Sequence, residues 1–170
     1  MYPAARGHEG TWSRDASRHG RALVPHVRAF IAGFLSTLVF HQGVLTLFWL
    51  AGALPRAPYD MAPAPPLGVP AVISLASWGG VWGVTIWPLL CNAAGRAYWF
   101  RALLIGAVLP SAVALFVVFP LKAMPVAGGW DPRIIISALI LNGAWGLGVA
   151  LFIRLMARIG VLKDGGSNGN

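Results

Sequence analysis

Four long apolar stretches dominate this chain of 170 residues, at roughly 29–54, 70–91, 102–121 and 134–153. No Asp, Glu, Lys or Arg interrupts any of them, and His41 is the only ionisable side chain inside apart from Cys91 at an edge. About 20 apolar residues cross the ~30 Å hydrocarbon core of a bilayer as a helix. In lipid the backbone must satisfy its own hydrogen bonds, which helices do within one segment. The pattern therefore predicts an all-α fold, a four-helix transmembrane bundle. Its membrane domain would cover 27–158, between a flexible basic tail at 1–26 and a flexible tail at 159–170. A composition 57% apolar and only 11% charged, with mean hydropathy +0.68, excludes an ordinary soluble domain. Too little chain lies outside the stretches to build a second domain.

The net charge of +8 raises nucleic acid as a partner, but its distribution argues for topology instead. Arg6, Arg14, Arg18, Arg21 and Arg28 precede the first stretch. Arg96 and Arg101 lie between the second and third, and Arg154, Arg158 and Lys163 follow the fourth. Only Arg56, Lys122 and Arg133 fall on the opposite side. This ten-to-three bias over short loops places both termini and the middle loop in the cytoplasm. The expected partners are the lipid bilayer and either further copies of the chain or another membrane protein, with no nucleic acid. The dominance of Arg over Lys, with abundant Ala, Gly and Pro, reads as a high-GC bacterial coding bias. Ala51-Gly52-Ala53 superficially resembles a signal cleavage site. The apolar run before it is much longer than the 7–15 residues of a secretory signal, so the first stretch is expected to remain as a span.

Cys91 is the only cysteine, which rules out an intrachain disulfide or a Cys-based metal cage. His8, His19 and His26 in the tail lack metal-ligand spacing, so no metal or cofactor is expected. The first external connection is stiff: Pro55, Pro58, Pro63, Pro65, Pro66 and Pro70 surround Tyr59, Asp60 and Met61. Proline fixes φ and removes a donor, so this segment should be extended, either as a plain connector or as a lid folded over the bundle mouth.

A faint internal repeat runs through the stretches. Phe30-Ile-Ala-Gly33 aligns with Leu103-Leu-Ile-Gly106, and Gly79-Gly80-Val81-Trp82-Gly83 with Asn142-Gly143-Ala144-Trp145-Gly146. Two repeated helical hairpins, each leaving from and returning to the cytoplasm, would give a parallel repeat. Small residues let helix backbones approach closely in lipid, where the hydrophobic effect does not drive association. Gly79, Gly80 and Gly83 fall in one quadrant of the second stretch, and Gly143 and Gly146 share a face of the fourth. They are the expected helix-packing residues.

His41, Gln42, Thr37 and Asn142 form the candidate intramembrane polar site. An ionisable residue at mid-membrane is a functional hypothesis by default, and imidazole titrates near neutrality. The bland alternative is a neutral His41 hydrogen-bonded to a carbonyl, a Ser or Asn142 on a neighbouring helix. Haem or metal ligation is disfavoured because no second histidine lies in the membrane. In either surviving role His41 should face the bundle interior. Pro110, followed by Ser111, should kink the third stretch and free a carbonyl. No carboxylate lies within the stretches, and there is no phosphate-binding glycine loop or His-Glu metal motif, so no catalytic residues are expected and the chain is read as no enzyme.

Phe40-His41-Gln42-Gly43, the loop ending Pro66-Leu67-Gly68-Val69-Pro70, and Ser77-Trp78-Gly79-Gly80-Val81-Trp82-Gly83 together resemble a group of small four-span bacterial inner-membrane proteins of unknown function. The likeness covers the first two stretches best. It implies the architecture and carries no activity or site residue with it. The residues themselves favour a non-enzymatic accessory protein or self-associating helical bundle. The alternative is a small oligomeric transporter or channel with His41 and Gln42 near its pathway, since four helices can hardly enclose a polar path alone.

Overall fold

The structure is a computed structural model describing residues 9–160, with their side chains from residue 23 onward. Residues 1–8 and 161–170, His8 and Lys163 among them, lie outside the described residues. Four helices are long and apolar enough to cross a membrane: span 1 (Leu23–Leu50), span 2 (Ala71–Cys91), span 3 (Gly95–Leu121) and span 4 (Pro132–Arg158). Among the described residues the only sheet is a two-stranded pairing of β1 (Pro63–Ala64) with β2 (Val69–Pro70) between spans 1 and 2. The fold is all-α, as the hydropathy predicts.

Helix boundaries differ from the apolar limits in an informative way. The helix containing span 1 begins at Glu9, well inside the segment expected to be a flexible tail. Its Arg and Ala residues are good helix formers and need no apolar stripe to continue a helix already anchored downstream. At the other end span 1 stops at Leu50, where Gly52 turns with φ +68°, rather than running to residue 54. Spans 3 and 4 extend beyond 102–121 and 134–153 to include Arg96, Arg101, Arg154 and Arg158. Hydropathy reports the length that crosses hydrocarbon, whereas a helix continues into the zone where arginine meets water and headgroups. Span 4 begins on an Asp131 cap, whose Oδ1 accepts from the Arg133 amide at 2.8 Å, with Pro132 in the first turn.

Each hairpin closes along small residues. Spans 1 and 2 run antiparallel, Gly33 against Gly79 and Ala29 against Gly83. A side-chain carbon on Gly83 would overlap the Ala29 carbonyl oxygen and lie 3.1 Å from the Gly33 Cα. Spans 3 and 4 repeat the arrangement. A side-chain carbon on Gly146 would overlap the Ala102 carbonyl oxygen and lie 2.9 Å from the Gly106 Cα. Phe30 packs over Gly80 just as Leu103 packs over Gly143. The repeat seen in sequence is thus a repeat of contacts, and Gly79, Gly80, Gly83, Gly143 and Gly146 all serve packing within the chain.

The two hairpins join mainly where span 4 crosses span 1. The Ser36 hydroxyl donates to the Trp145 carbonyl at 2.6 Å, and the Trp145 indole Nε1 donates to the Gly33 carbonyl at 3.0 Å. Gly148 lies against Ser36 and Phe40 so closely that a side chain there would overlap both. Phe40 meets Phe152 edge-on, with ring centroids 6.0 Å apart. Nearer the Asn92–Ala94 link, Ile86, Leu90, Tyr98 and Ala102 complete a core with Trp145, Val149 and Ile153.

Two helices contain a π turn, a widened turn that accommodates one extra residue: Thr37–His41 in span 1 and Ala114–Val118 in span 3. Pro110 is buried inside a helix that continues to Val113, and the π turn of span 3 begins at the next residue, Ala114. Pro120 follows that π turn, and the wider turn gives its ring room that the Phe116 carbonyl would deny it in a regular helix.

Candidate functional site

The π turn of span 1 places the candidate polar residues. In a regular helix the Leu38 carbonyl would accept from the Gln42 amide. Here the Gln42 amide is directed to the Thr37 and Val39 carbonyls instead, which leaves the Leu38 carbonyl open to a partner from outside the helix. That partner is Tyr59, whose hydroxyl donates to it at 3.0 Å. The Tyr59 amide also donates to the Gln42 side-chain oxygen at 2.8 Å.

Tyr59 arrives there because the proline-rich connection folds back along span 1. Gly33 lies opposite Gly79, so span 2, starting at Ala71, begins level with His41. Gln42–Leu50 therefore projects roughly 13 Å beyond the start of span 2. The connection must descend that distance, and it does so as an ordered strap. The Val72 amide donates to the Asp60 carbonyl and the Ala71 amide to the Ala62 carbonyl, both at 2.9 Å. The Asp60 carboxylate accepts from the Ala62 amide at 2.9 Å and faces Arg56 at 3.7 Å. Pro65–Pro66 is a cis bond between the two short strands. Of the two expectations for this segment, a connector or a lid, the structure has it docked on span 1. Tyr59 adopts φ +52°, a left-handed conformation uncommon for an aromatic residue.

His41 closes the π turn, and its Nδ1 is buried with no hydrogen-bond partner. The expected bridge from His41 to a carbonyl, a Ser or Asn142 on a neighbouring helix is not formed at this nitrogen. Asn142 instead donates to the Ser111 hydroxyl at 2.9 Å, inside the other hairpin. The Thr37 hydroxyl donates to the Gly33 carbonyl at 3.0 Å and packs against Gly79 in the seam of the first hairpin. The four polar residues expected to share one site are thus divided. His41 and Gln42 lie at the strap, Thr37 in one seam and Asn142 at the other.

Several structural residues carry no sequence signal of their own. Ser36 is fully buried yet sits in an ordinary apolar run. Tyr98 reaches across to donate to the Ala150 carbonyl at 3.0 Å, and Arg154 lies 4.1 Å from the centre of its ring. Gly148 falls two residues beyond the Gly-x-Trp-Gly pattern that drew attention to its neighbours. Tyr59 has a weak signal, an aromatic residue within a proline cluster, but its target inside span 1 depends on a π turn that no pattern announces. No group of three or more His, Cys, Asp or Glu able to hold a metal exists among the described residues. No family model, curated protein or solved structure matches the chain.

Proposed function

We propose that this chain is a non-enzymatic multi-pass protein of a bacterial inner membrane, with both termini cytoplasmic, that acts through helix packing as an accessory subunit or as a self-associating bundle. The observation that carries this reading is where the buried polar groups go. Ser36, Trp145, Tyr98 and Asn142 direct their donors to neighbouring helices rather than into a shared cavity. Such bonds fix a scaffold and leave little chemistry to perform. The glycine seams are occupied within the chain, so a partner would meet the apolar outer faces, where Trp78, Phe100 and Val39 are exposed. Native mass measurement in mild detergent tests this. A complex of two or more copies, or a stoichiometric co-purifying membrane protein, supports it, and a strict monomer without any co-purifying protein contradicts it.

A second reading has its own observation. An orphaned imidazole nitrogen beside a π turn suits a small oligomeric transporter or channel with His41 and Gln42 near the pathway. Proteoliposome flux that responds to His41→Gln while the assembly stays intact would favour it.

A further inference from the structure

We propose that the external strap is a latch that holds span 1 in its π-turn register, so that releasing Tyr59 rotates the outer segment Gln42–Leu50. This goes beyond the packing role above and does not depend on it. The Tyr59 hydroxyl supplies a donor that the helix has withdrawn. In a regular α-helix the Leu38 carbonyl belongs to the Gln42 amide. In this structure that amide points to Thr37 and Val39, and the Tyr59 hydroxyl takes the carbonyl. A carbonyl oxygen can accept twice, as those of Trp145 and Ala150 do within span 4. The latch therefore works by satisfaction rather than exclusion: without Tyr59 the π-turn register would leave the Leu38 carbonyl unpaired. While Tyr59 is docked the extra residue of the π turn stays in place. When Tyr59 leaves, the Gln42 amide can return to Leu38 and the turn can tighten to α.

The same residue is held at a second point, through its amide on the Gln42 side-chain oxygen. That bond ties the strap to the first residue beyond the π turn, so strap and outer segment are mechanically joined. The docked pose requires a left-handed φ at Tyr59, a conformation maintained only while its surroundings hold it. His41, at the hinge, has its Nδ1 buried and unpartnered in the latched form, so this register leaves one polar group unsatisfied. The latched state is therefore held by strap contacts against local preferences on both sides, as expected of an element with two arrangements.

Tightening a π turn removes one residue from the wide turn and rotates the rest of the helix beyond it by one residue step, roughly 100°. Leu45, buried now at 6% exposure, would turn outward, and Val44 would move into its place. Rotation is thus distinguishable from fraying, in which both would become exposed. The test uses single cysteines at Leu45 or Val44 in a Cys91→Ala background, labelled with a membrane-permeant maleimide in native membranes. In the chain with Tyr59 intact, the Leu45→Cys site should react slowly. Adding Tyr59→Phe, which removes only the hydroxyl, should raise its labelling rate roughly tenfold and lower that of the Val44→Cys site. Gln42→Leu, which takes away the acceptor of the Tyr59 amide, should give the same opposed pair of changes. Unchanged rates in both variants would overturn the latch, as would a joint rise at the two positions. Neither result bears on whether the protein self-associates, which native mass measures independently.

Discussion

The first and second hairpins share a seam and differ in what surrounds it. Ala29, Phe30 and Gly33 meet Gly79, Gly80 and Gly83 in one, and Ala102, Leu103 and Gly106 meet Asn142, Gly143 and Gly146 in the other. The correspondence is a shift of 73 residues for the first helix of each hairpin and 63 for the second. The same shifts applied to the crossing of spans 1 and 4 show why its counterpart between spans 3 and 2 stays open. Ser36 corresponds to Leu109, which has no hydroxyl to donate, and Gly148 corresponds to Thr85, whose side chain blocks close approach. Leu109 and Thr85 are both exposed. At these two positions the crossing of spans 2 and 3 lacks both the donor and the small residue that the crossing of spans 1 and 4 uses. The external connections diverge as well. The first hairpin carries the Tyr59 strap. The second has a tight turn in which Ala127, Gly128, Gly129 and Trp130 all take left-handed φ.

The largest effects should come from filling the seams. Gly83→Leu and Gly146→Leu each force a side chain into a backbone carbonyl, and neither variant should yield folded protein. The milder Gly83→Ala and Gly146→Ala should each lose about 1–3 kcal/mol, by amounts that agree with one another if the seams are equivalent. Gly43 has nothing within 4 Å of a side-chain carbon, so Gly43→Ala should be neutral or gain up to ~1 kcal/mol from helix propensity. Reversible unfolding in detergent micelles reads all of these. Unequal losses at Gly83 and Gly146 would break the comparison.

Smaller differences separate the closed crossing from the rest. Ser36→Ala removes the donor to the Trp145 carbonyl, and hydrogen bonds between membrane helices average ~0.6 kcal/mol with a ceiling of ~1.7. Ser36 and Ser111 are equally buried, but the Ser36 bond ends on the carbonyl of buried Trp145 whereas Ser111 meets half-buried Asn142. That difference places Ser36→Ala toward the upper end and Ser111→Ala nearer the average. The same unfolding assay orders the two, and a larger loss at Ser111 would mean that the bond inside the second hairpin outweighs the one between the hairpins. The smallest effect is expected at His41. Its buried nitrogen has no partner to lose, so His41→Leu should keep the fold and change stability by less than about 1 kcal/mol in either direction. A large loss would reveal a partner that the structure does not contain.

Much of this architecture is legible in the sequence because hydropathy and small-residue spacing are local signals. The Gly-x-Trp-Gly segments and the alignment of Gly33 with Gly106 identify both seams, since only glycine permits that approach. The site is less legible because it depends on a register defect. Whether Leu38 has a free carbonyl is decided by the π turn, and no residue type specifies one. Asn142 and His41 look like partners in sequence, two polar residues in apolar helices, yet Asn142 is directed to Ser111 on span 3. Helix ends are misjudged for a further reason. Arg96 and Arg154 stop a hydropathy window without stopping a helix.

The equivalence of the two hairpins is tested most directly by paired cysteines in a Cys91→Ala background, joined by a short bifunctional thiol reagent in native membranes. Phe30 with Gly80 and Leu103 with Gly143 are the matched positions, and cysteine at each removes the bulk that would otherwise crowd its partner. Equivalent hairpins predict efficient cross-linking within both matched pairs and none in the exchanged pairs, Phe30 with Gly143 and Leu103 with Gly80. Efficient cross-linking of one matched pair without the other would contradict that equivalence.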